Sequence, residues 1–404
     1  MLGQIPDRVL IAGGGPVGLI CALVLQKHGI PGIVFEAEAG TGRELRGSSF
    51  HSPTLDMLNT VGLTERMLAV GIKVPVFQYY DGEEGLVAEF DFSHLSDVSS
   101  FPFRLHLGQD RLSRIAHEKL LEGSGWEVRF EHRATGALPL DGGARLIVEC
   151  PGGEAEFTGR YLIGADGAGS TIRKHLDIDF EGYTWPERYL MAHTPYQLQL
   201  HGYANAAYIA DPEEWKALFH LPQADGPPLW RIVMPATKEV PDATLLSEPT
   251  LQYRLNEFLP QDEPYDLAYR QIYHVHQRVA KTFRTGNVLL AGDAAHVVNP
   301  MGALGLNGGI HDAFNLGDKL NEIRRGRAKA EILDRYVRQR RKVNVNQIQA
   351  TSIRNKKRLE ERDPTLRKKN NDELRRIATD PQRHLQYIRN TSLITSLEQA
   401  AKIE

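Results

Sequence analysis

Cysteine is almost missing: Cys21 and Cys150 are the only two in 404 residues. Two thiols cannot build a disulfide framework or a four-cysteine zinc site, so stability must come from a buried core. At this length roughly three quarters of the unfolded surface is buried without staples, which suits one large domain or two ordinary ones. Charge of one sign is not in excess either. Lys and Arg number 48 against 51 Asp and Glu, a net charge of −3, and nothing global draws the chain to nucleic acid or an anionic membrane. Long apolar runs are also lacking. Val9 to Leu25 carries no charge, but Gly13, Gly14, Gly15 and Pro16 interrupt it; in a helix centre each Gly costs about 1 kcal/mol and Pro about 3. No other stretch nears the ~20 apolar residues of a membrane span. With no signal segment expected, the chain reads as cytoplasmic and reduced. Apolar residues at 41% and charged residues at 25%, with 37 Gly and 22 Pro, exclude collagen-like and disordered architectures.

The interrupting glycines have a use. Arg8–Ala12 is a short β-branched run that reads as a buried strand, and Gly13–Gly18 follows as G-x-G-x-x-G. A helix from Leu19 to His28 is closed by Gly29, and a second strand, Gly32–Glu36, ends on an acid. Strand, glycine turn, helix, strand and acid are the parts of a dinucleotide site. Gly13 permits the tight turn, Gly15 lets backbone approach a pyrophosphate, and Gly18 lets helix and strand pack closely. Pro16 and Val17 lie in the glycine turn just before the helix, whose N-terminal free N–H groups favour an anion. Glu36 is placed to accept from ribose hydroxyls. This motif alone does not choose between NAD and FAD.

Two further segments make that choice. A strand at Arg160–Ile163 leads into Gly164-Ala165-Asp166-Gly167, with Arg173 beyond it, and a strand at Asn287–Leu290 leads into Ala291-Gly292-Asp293. Asn299-Pro300-Met301-Gly302-Ala303-Leu304-Gly305-Leu306-Asn307 then precedes a helix with Ile310, Ala313, Phe314, Gly317 and Leu320 on one face. With the first motif, over residues 7–345, this order resembles the single-component FAD-dependent aromatic hydroxylases, the flavoprotein monooxygenases like 4-hydroxybenzoate hydroxylase.

The resemblance implies roles residue by residue. Gly13, Gly15 and Gly18 would form the pyrophosphate loop, Glu36 the ribose acid, and Arg46 and Gln109 further FAD contacts. Asp166 would lie near FAD and the pyridine nucleotide, although an Asp before a helix also reads as a cap. Asp293 would bind the ribityl chain, and Gly305, Leu306 and Asn307 would form the end of a loop past the flavin ring, with the Pro300 carbonyl over the ring. Leu304 departs from relatives that carry a polar residue there. Arg43 is a candidate 2′-phosphate contact that does not decide NADH against NADPH. The implied reaction reduces FAD with NADH or NADPH, forms a flavin C(4a)-hydroperoxide with O2, and hydroxylates a phenolic or hydroxylated N-heteroaromatic ring. A reductase or dehydrogenase of the same fold without oxygen insertion is the alternative; a halogenase is disfavoured because the four tryptophans contain no Trp-x-Trp pair.

The expected fold is α/β: a Rossmann-like FAD-binding domain (1–75, 102–180 and 281–345), an inserted mixed or antiparallel substrate sheet (76–101 and 181–280), and a helical tail (346–404). Within the insert, Tyr203–Ala210, Trp215–Leu221, Leu229–Pro235 and Tyr265–Gln271 read as antiparallel strands, with more from Val76–Phe92. Tyr79, Tyr208, His220 and Arg231 are candidate substrate contacts. His106, between Leu105 and Leu107, is a candidate base for a phenol. His274 and His276 share a strand face but lack further ligands at metal spacing, so no metal is expected. Residues 351–404 hold 13 Lys/Arg against 8 Asp/Glu with few aromatics, a solvated face rather than a nucleic-acid surface. Breaks at Asp363-Pro364 and Asp380-Pro381, and apolar Leu393, Ile394 and Leu397, have the tail dock on the body or on the second subunit of a homodimer.

Overall fold

The computed structural model describes residues 5–42 and 47–404. Val9–Ala12, Gly32–Phe35, Tyr161–Gly164 and Val288–Leu290 are short, entirely buried strands. Four buried residues in a row, with no polar alternation, is what a parallel strand covered on both faces requires. They assemble in the order Arg284–Thr285, Val288–Leu290, Tyr161–Gly164, Val9–Ala12, Gly32–Phe35, Trp126–Arg129. Val9–Ala12 pairs in parallel with a strand on each side, and the Tyr161–Gly164 strand pairs in parallel with Val288–Leu290. The carboxyl ends of three adjacent strands therefore carry the three glycine-containing segments side by side. The chain order reverses direction at this place, where open α/β sheets bind ligands.

The second sheet has eight strands: His296–Val297, Tyr269–Ala280, Phe180–Thr194, Leu229–Ala236, Lys216–Leu221, Ala206–Ala210, Val76–Asp81 and Gly85–Asp91. Two details differ from the sequence expectation. Ala206–Ala210 runs parallel, not antiparallel, to Val76–Asp81, because the chain returns to that hairpin from a distant crossover. The stretch 265–268 lies outside the last strand, which instead spans Tyr269–Ala280 and carries the chain back to the first sheet. Both faces of this sheet are covered. Tyr79, Tyr189 and Tyr208 face one apolar cluster; Leu190, Ala207 and Ile232 face the other, packed by Leu251 and Leu255 of the helix Glu248–Phe258.

The tail folds back over the first of those faces. A continuous helical run passes from Ile332–Val343 through a π turn, Asn344–Gln349, to Ala350–Leu359, so the 345/346 division falls inside it. Asp363 and Asp380 are the capping residues of Pro364–Thr379 and Pro381–Thr391, each accepting from two backbone N–H groups, with Pro at the first helical turn where its missing N–H costs nothing. Leu393 and Ile394 are buried and Leu397 is half-buried against the same chain. Arg367 donates to both oxygens of buried Asp81 at 2.9 Å, and Asn371 adds a bond at 3.1 Å. Arg375 pairs with Glu84 on the same hairpin. Arg367→Ala leaves Asp81 its turn N–H bonds but no cation; the expected loss is about 1–3 kcal/mol, read as a lower denaturant midpoint with faster proteolysis after residue 360. No helix among the described residues is long and apolar enough to cross a membrane.

Candidate active site

The glycine loop has little freedom. Gly13 sits at φ +105°, and a Cβ there would lie 2.3 Å from the Ala165 carbonyl oxygen. A Cβ on Gly18 would lie 2.0 Å from the Gly13 oxygen, whereas one on Gly15 would meet nothing within 4 Å. Two glycines are thus fixed by protein contacts and the third by none. Pro16 occupies the first turn of Pro16–Lys27, which has no side-chain cap and no acidic residue there, so its N–H groups and dipole are available to an anion. Val17 packs where Gly292 and Gly309 lack side chains, joining the first motif to the third. Glu36 accepts from Gly14 N at 2.6 Å and Glu38 N at 3.0 Å. These bonds brace the loop and leave carboxylate lone pairs for hydroxyls.

Asp166 accepts from the Ser170 hydroxyl at 2.6 Å and Ile172 N at 3.1 Å, steadying the start of Thr171–His175. Burial raises its pKa against those bonds. Arg173 then spans two motifs, donating to Ala168 O and Ala294 O, both at 2.8 Å, with its guanidinium 3.7 Å from the Phe180 ring centre. Asp293, in the short turn Gly292–Ala294, is exposed while residues 291–297 are otherwise buried. An exposed carboxylate on a buried turn, at the edge of the sheet and beside an uncapped helix, fits the polar chain of a dinucleotide. Gln109, first in the helix Gln109–Leu121, accepts from Gly47 N at 3.2 Å and donates its own N–H to Gly47 O at 2.9 Å. Arg43 and Arg46 lie outside the described residues.

The segment after Asp293 starts its helix earlier than the sequence suggests. Leu304–Arg324 begins with Gly305, Leu306 and Asn307 already in its first turns, because Ala303 takes a left-handed conformation (φ 57°) as the cap. Asn307 holds that turn, accepting from His51 N at 3.0 Å and donating to Ser49 O at 2.8 Å. Pro300 is exposed, and its carbonyl accepts from Ala303 N at 3.0 Å. Gly302 is held from both sides: its N–H donates to the Tyr208 oxygen at 2.6 Å, and its carbonyl is 3.0 Å from His51 Nε2.

Gly302 also borders a cleft that is partly open to solvent. Phe77, Tyr79, Phe90 and Tyr208 of the second sheet wall it with Phe92 of the turn that follows Gly85–Asp91, Arg104 enters from a short strand, and Asn355, Tyr387, Ile388 and Thr391 of the tail close it. Tyr79 and Tyr208 meet edge to face at 5.6 Å, and the Tyr387 and Tyr79 hydroxyls are 3.0 Å apart. Burial pushes Tyr208 up to about 12, so it is a neutral donor. Because its oxygen accepts from Gly302, its own hydrogen is left to donate.

Three sequence candidates are elsewhere. His106 does not line this cleft; Nδ1 donates to the His220 carbonyl at 2.9 Å, and burial lowers its pKa to about 3, too low to hold a substrate proton at neutral pH. His220 stacks on Trp230 at 4.9 Å and bonds Gln199 and Asn205, with burial lowering it to about 4. Arg231 donates to His193 Nε2 at 2.9 Å and the Ser48 hydroxyl at 3.1 Å. Conversely, Phe77, Phe90, Arg104 and Tyr387 were not sequence candidates. The i, i+2 spacing of Phe77 with Tyr79 and of Phe90 with Phe92 was the available signal; Tyr387 had none. Among the described residues no group of three or more His, Cys, Asp or Glu could hold a metal.

Residues 7–351 match the family described as FAD binding domain. The chain belongs to the FAD-binding family of flavin-dependent aromatic monooxygenases. It is 36% identical over 375 residues to the para-nitrophenol 4-monooxygenase of Pseudomonas sp. (strain WBC-3), covering 93% of this chain and 92% of that one. It is 34% identical to the 6-hydroxy-3-succinoylpyridine 3-monooxygenase of Pseudomonas putida, covering 83% and 84%. The crystal structure of p-nitrophenol 4-monooxygenase from Pseudomonas putida DLL-E4 superposes with a TM-score of 0.90 at 31% identity over 98% of both chains. The family assignment and the fold agree with what the three glycine motifs implied, tail included, since the superposition extends through it.

Proposed function

We propose that this monooxygenase oxygenates a small phenol carrying an electron-withdrawing or anionic group, of the 4-nitrophenol or hydroxypyridine kind. The observation that carries the reading is the cleft of aromatic rings bounded on one side by Gly302, the residue that fixes the loop before the long helix. The relatives named for para-nitrophenol and a hydroxypyridine support the same class.

When bound, FAD supplies oxygen activation from O2 with NADH or NADPH as reductant. The chain's own part is to bind, orient and keep dry. Gly13–Gly18, Glu36 and Asp293 would hold the dinucleotide, with Gln109 bracing Gly47 and Arg173 fixing the second motif to the third. The N-terminus of Leu304–Arg324, which has no side-chain cap and no acid in its first turn, favours negative charge placed at it. Phe77, Phe92 and the tail exclude water from the cleft. Tyr208 donates to a substrate oxygen.

The test follows NADH and NADPH oxidation together with O2 uptake against a panel of phenols and hydroxypyridines, with product analysis. The expected result is ring-substrate-dependent oxidation with an oxygenated product. Stimulated oxidation yielding only hydrogen peroxide, with no oxygenated product from any ring tested, overturns the proposal.

A further inference from the structure

Arg104 is buried at 6% exposure, yet it makes no ion pair among the described residues, and its Nε has no hydrogen-bond partner there. Its guanidinium lies 5.0 Å from the Phe77 ring centre and 4.7 Å from that of Phe92. Aromatic faces cushion a cation, but each such contact returns only about 0.5–2 kcal/mol, whereas removing a charge from water costs several. Three other buried cations are paired with carboxylates, Arg340 with Asp312, Arg367 with Asp81 and Lys356 with Glu360, while buried Arg173 and Lys319 are met by carbonyl and amide oxygens instead. The ionisable groups that interact with Arg104 are Tyr79, Tyr208, Tyr387, His51 and His106, and none of them is a carboxylate. The place left for a counter-charge is the cleft that Arg104 lines.

We propose that Arg104 is the anion receptor of the substrate cleft, its guanidinium taking a negatively charged oxygen borne by the aromatic ring. This deepens the phenol reading and rests on it. A planar fork of N–H donors suits a phenolate oxygen, a nitro group or a carboxylate, and the ring itself is held between the aromatic walls. The occupant supplies the missing charge, so Arg104 selects ionised rings over neutral ones of the same shape.

The test measures ligand binding to the FAD-loaded protein by equilibrium dialysis, apart from turnover, with Arg104→Met, Arg104→Lys and wild type. The ligands are 4-nitrophenolate, 4-hydroxybenzoate and neutral 4-methylphenol. Arg104→Met is expected to bind 4-nitrophenolate at least tenfold more weakly, about 1.4 kcal/mol, and 4-methylphenol within threefold of wild type; Arg104→Lys falls between. A parallel loss for 4-hydroxybenzoate identifies the para substituent as the partner of Arg104, and its absence identifies the phenolate oxygen. Replacing an uncompensated buried charge with an apolar side chain of similar volume leaves stability equal or higher, so the variant's melting temperature should not fall. An unchanged ratio of anionic to neutral binding in Arg104→Met overturns the assignment while leaving the phenol reading intact. If the wild-type holoprotein binds none of the three rings, the phenol reading itself fails and this assignment with it.

Discussion

Gly15→Ala weakens FAD binding tenfold or more while the flavin-free protein melts as wild type does, and Gly18→Ala impairs both. The contrast follows from what each new methyl group meets. Gly15 has an ordinary φ of −70° as the cap of Pro16–Lys27, and nothing lies within 4 Å of its Cβ position. An alanine there disturbs no protein contact and occupies only the space where the pyrophosphate would approach the helix N-terminus. A tenfold loss corresponds to about 1.4 kcal/mol, a modest demand for one methyl group pushed against an anion and its N–H donors. At Gly18 the new carbon would sit 2.0 Å from the Gly13 carbonyl oxygen, a backbone atom that cannot swing aside. Helix and loop must separate, an overpacking cost of about 1–3 kcal/mol, and the loop then no longer matches its ligand. Flavin retention after gel filtration and melting curves of the flavin-free proteins read the two effects apart. If Gly15→Ala retains flavin as wild type does, this loop is not the pyrophosphate site.

Much of the first domain could be read directly because its strands are buried on both faces and its turns need glycine. Val9–Ala12 and Tyr161–Gly164 are uninterrupted apolar runs, and the residues after them have few uses other than a ligand turn. The substrate sheet was less legible for the same physical reason applied in reverse. It too is covered on both faces, so Ala206–Ala210 and most of Leu229–Ala236 are buried without alternation. A period of two then no longer tells the cleft face from the opposite one. Tyr79 and Tyr208 turned to the cleft, while His220 and Arg231 were engaged by Gln199, Asn205, His193 and Ser48. Arg104 and Tyr387 could not have been paired from sequence, since only the folding of the tail over the hairpin Val76–Asp91 brings them to one cleft. The tail's charge, which reads as a solvated face, is partly spent on that docking through Arg367 and Arg375.

Asp312→Ala is expected to lose about 3–5 kcal/mol of stability, the usual result of removing one partner from a buried ion cluster. Asp312 lies in Leu304–Arg324 and is fully buried. One carboxylate oxygen accepts from Arg340 Nε at 2.6 Å; the other accepts from Gly292 N at 3.1 Å and lies 2.6 Å from His296 Nε2. Removing it strands a guanidinium that is 1% exposed and frees the N–H of the residue preceding Asp293. Flavin retention should therefore fall along with stability, although Asp312 is itself shielded from any ligand. The effect has a defined pH window. Burial alone would raise the pKa of Asp312, but His296 and Arg340 outweigh it and bring it down to about 2, below the unfolded value of about 3.9. A carboxylate depressed in the folded state contributes stability that is present above the unfolded value and is lost as pH falls through the folded one. The gap between wild type and Asp312→Ala in urea unfolding should thus narrow as pH falls from about 4 toward 2. A gap under about 1 kcal/mol at pH 7 would place this cluster among interactions the core can replace, and the third motif would then owe its shape to Arg173 and to the packing of Val17 on Gly292.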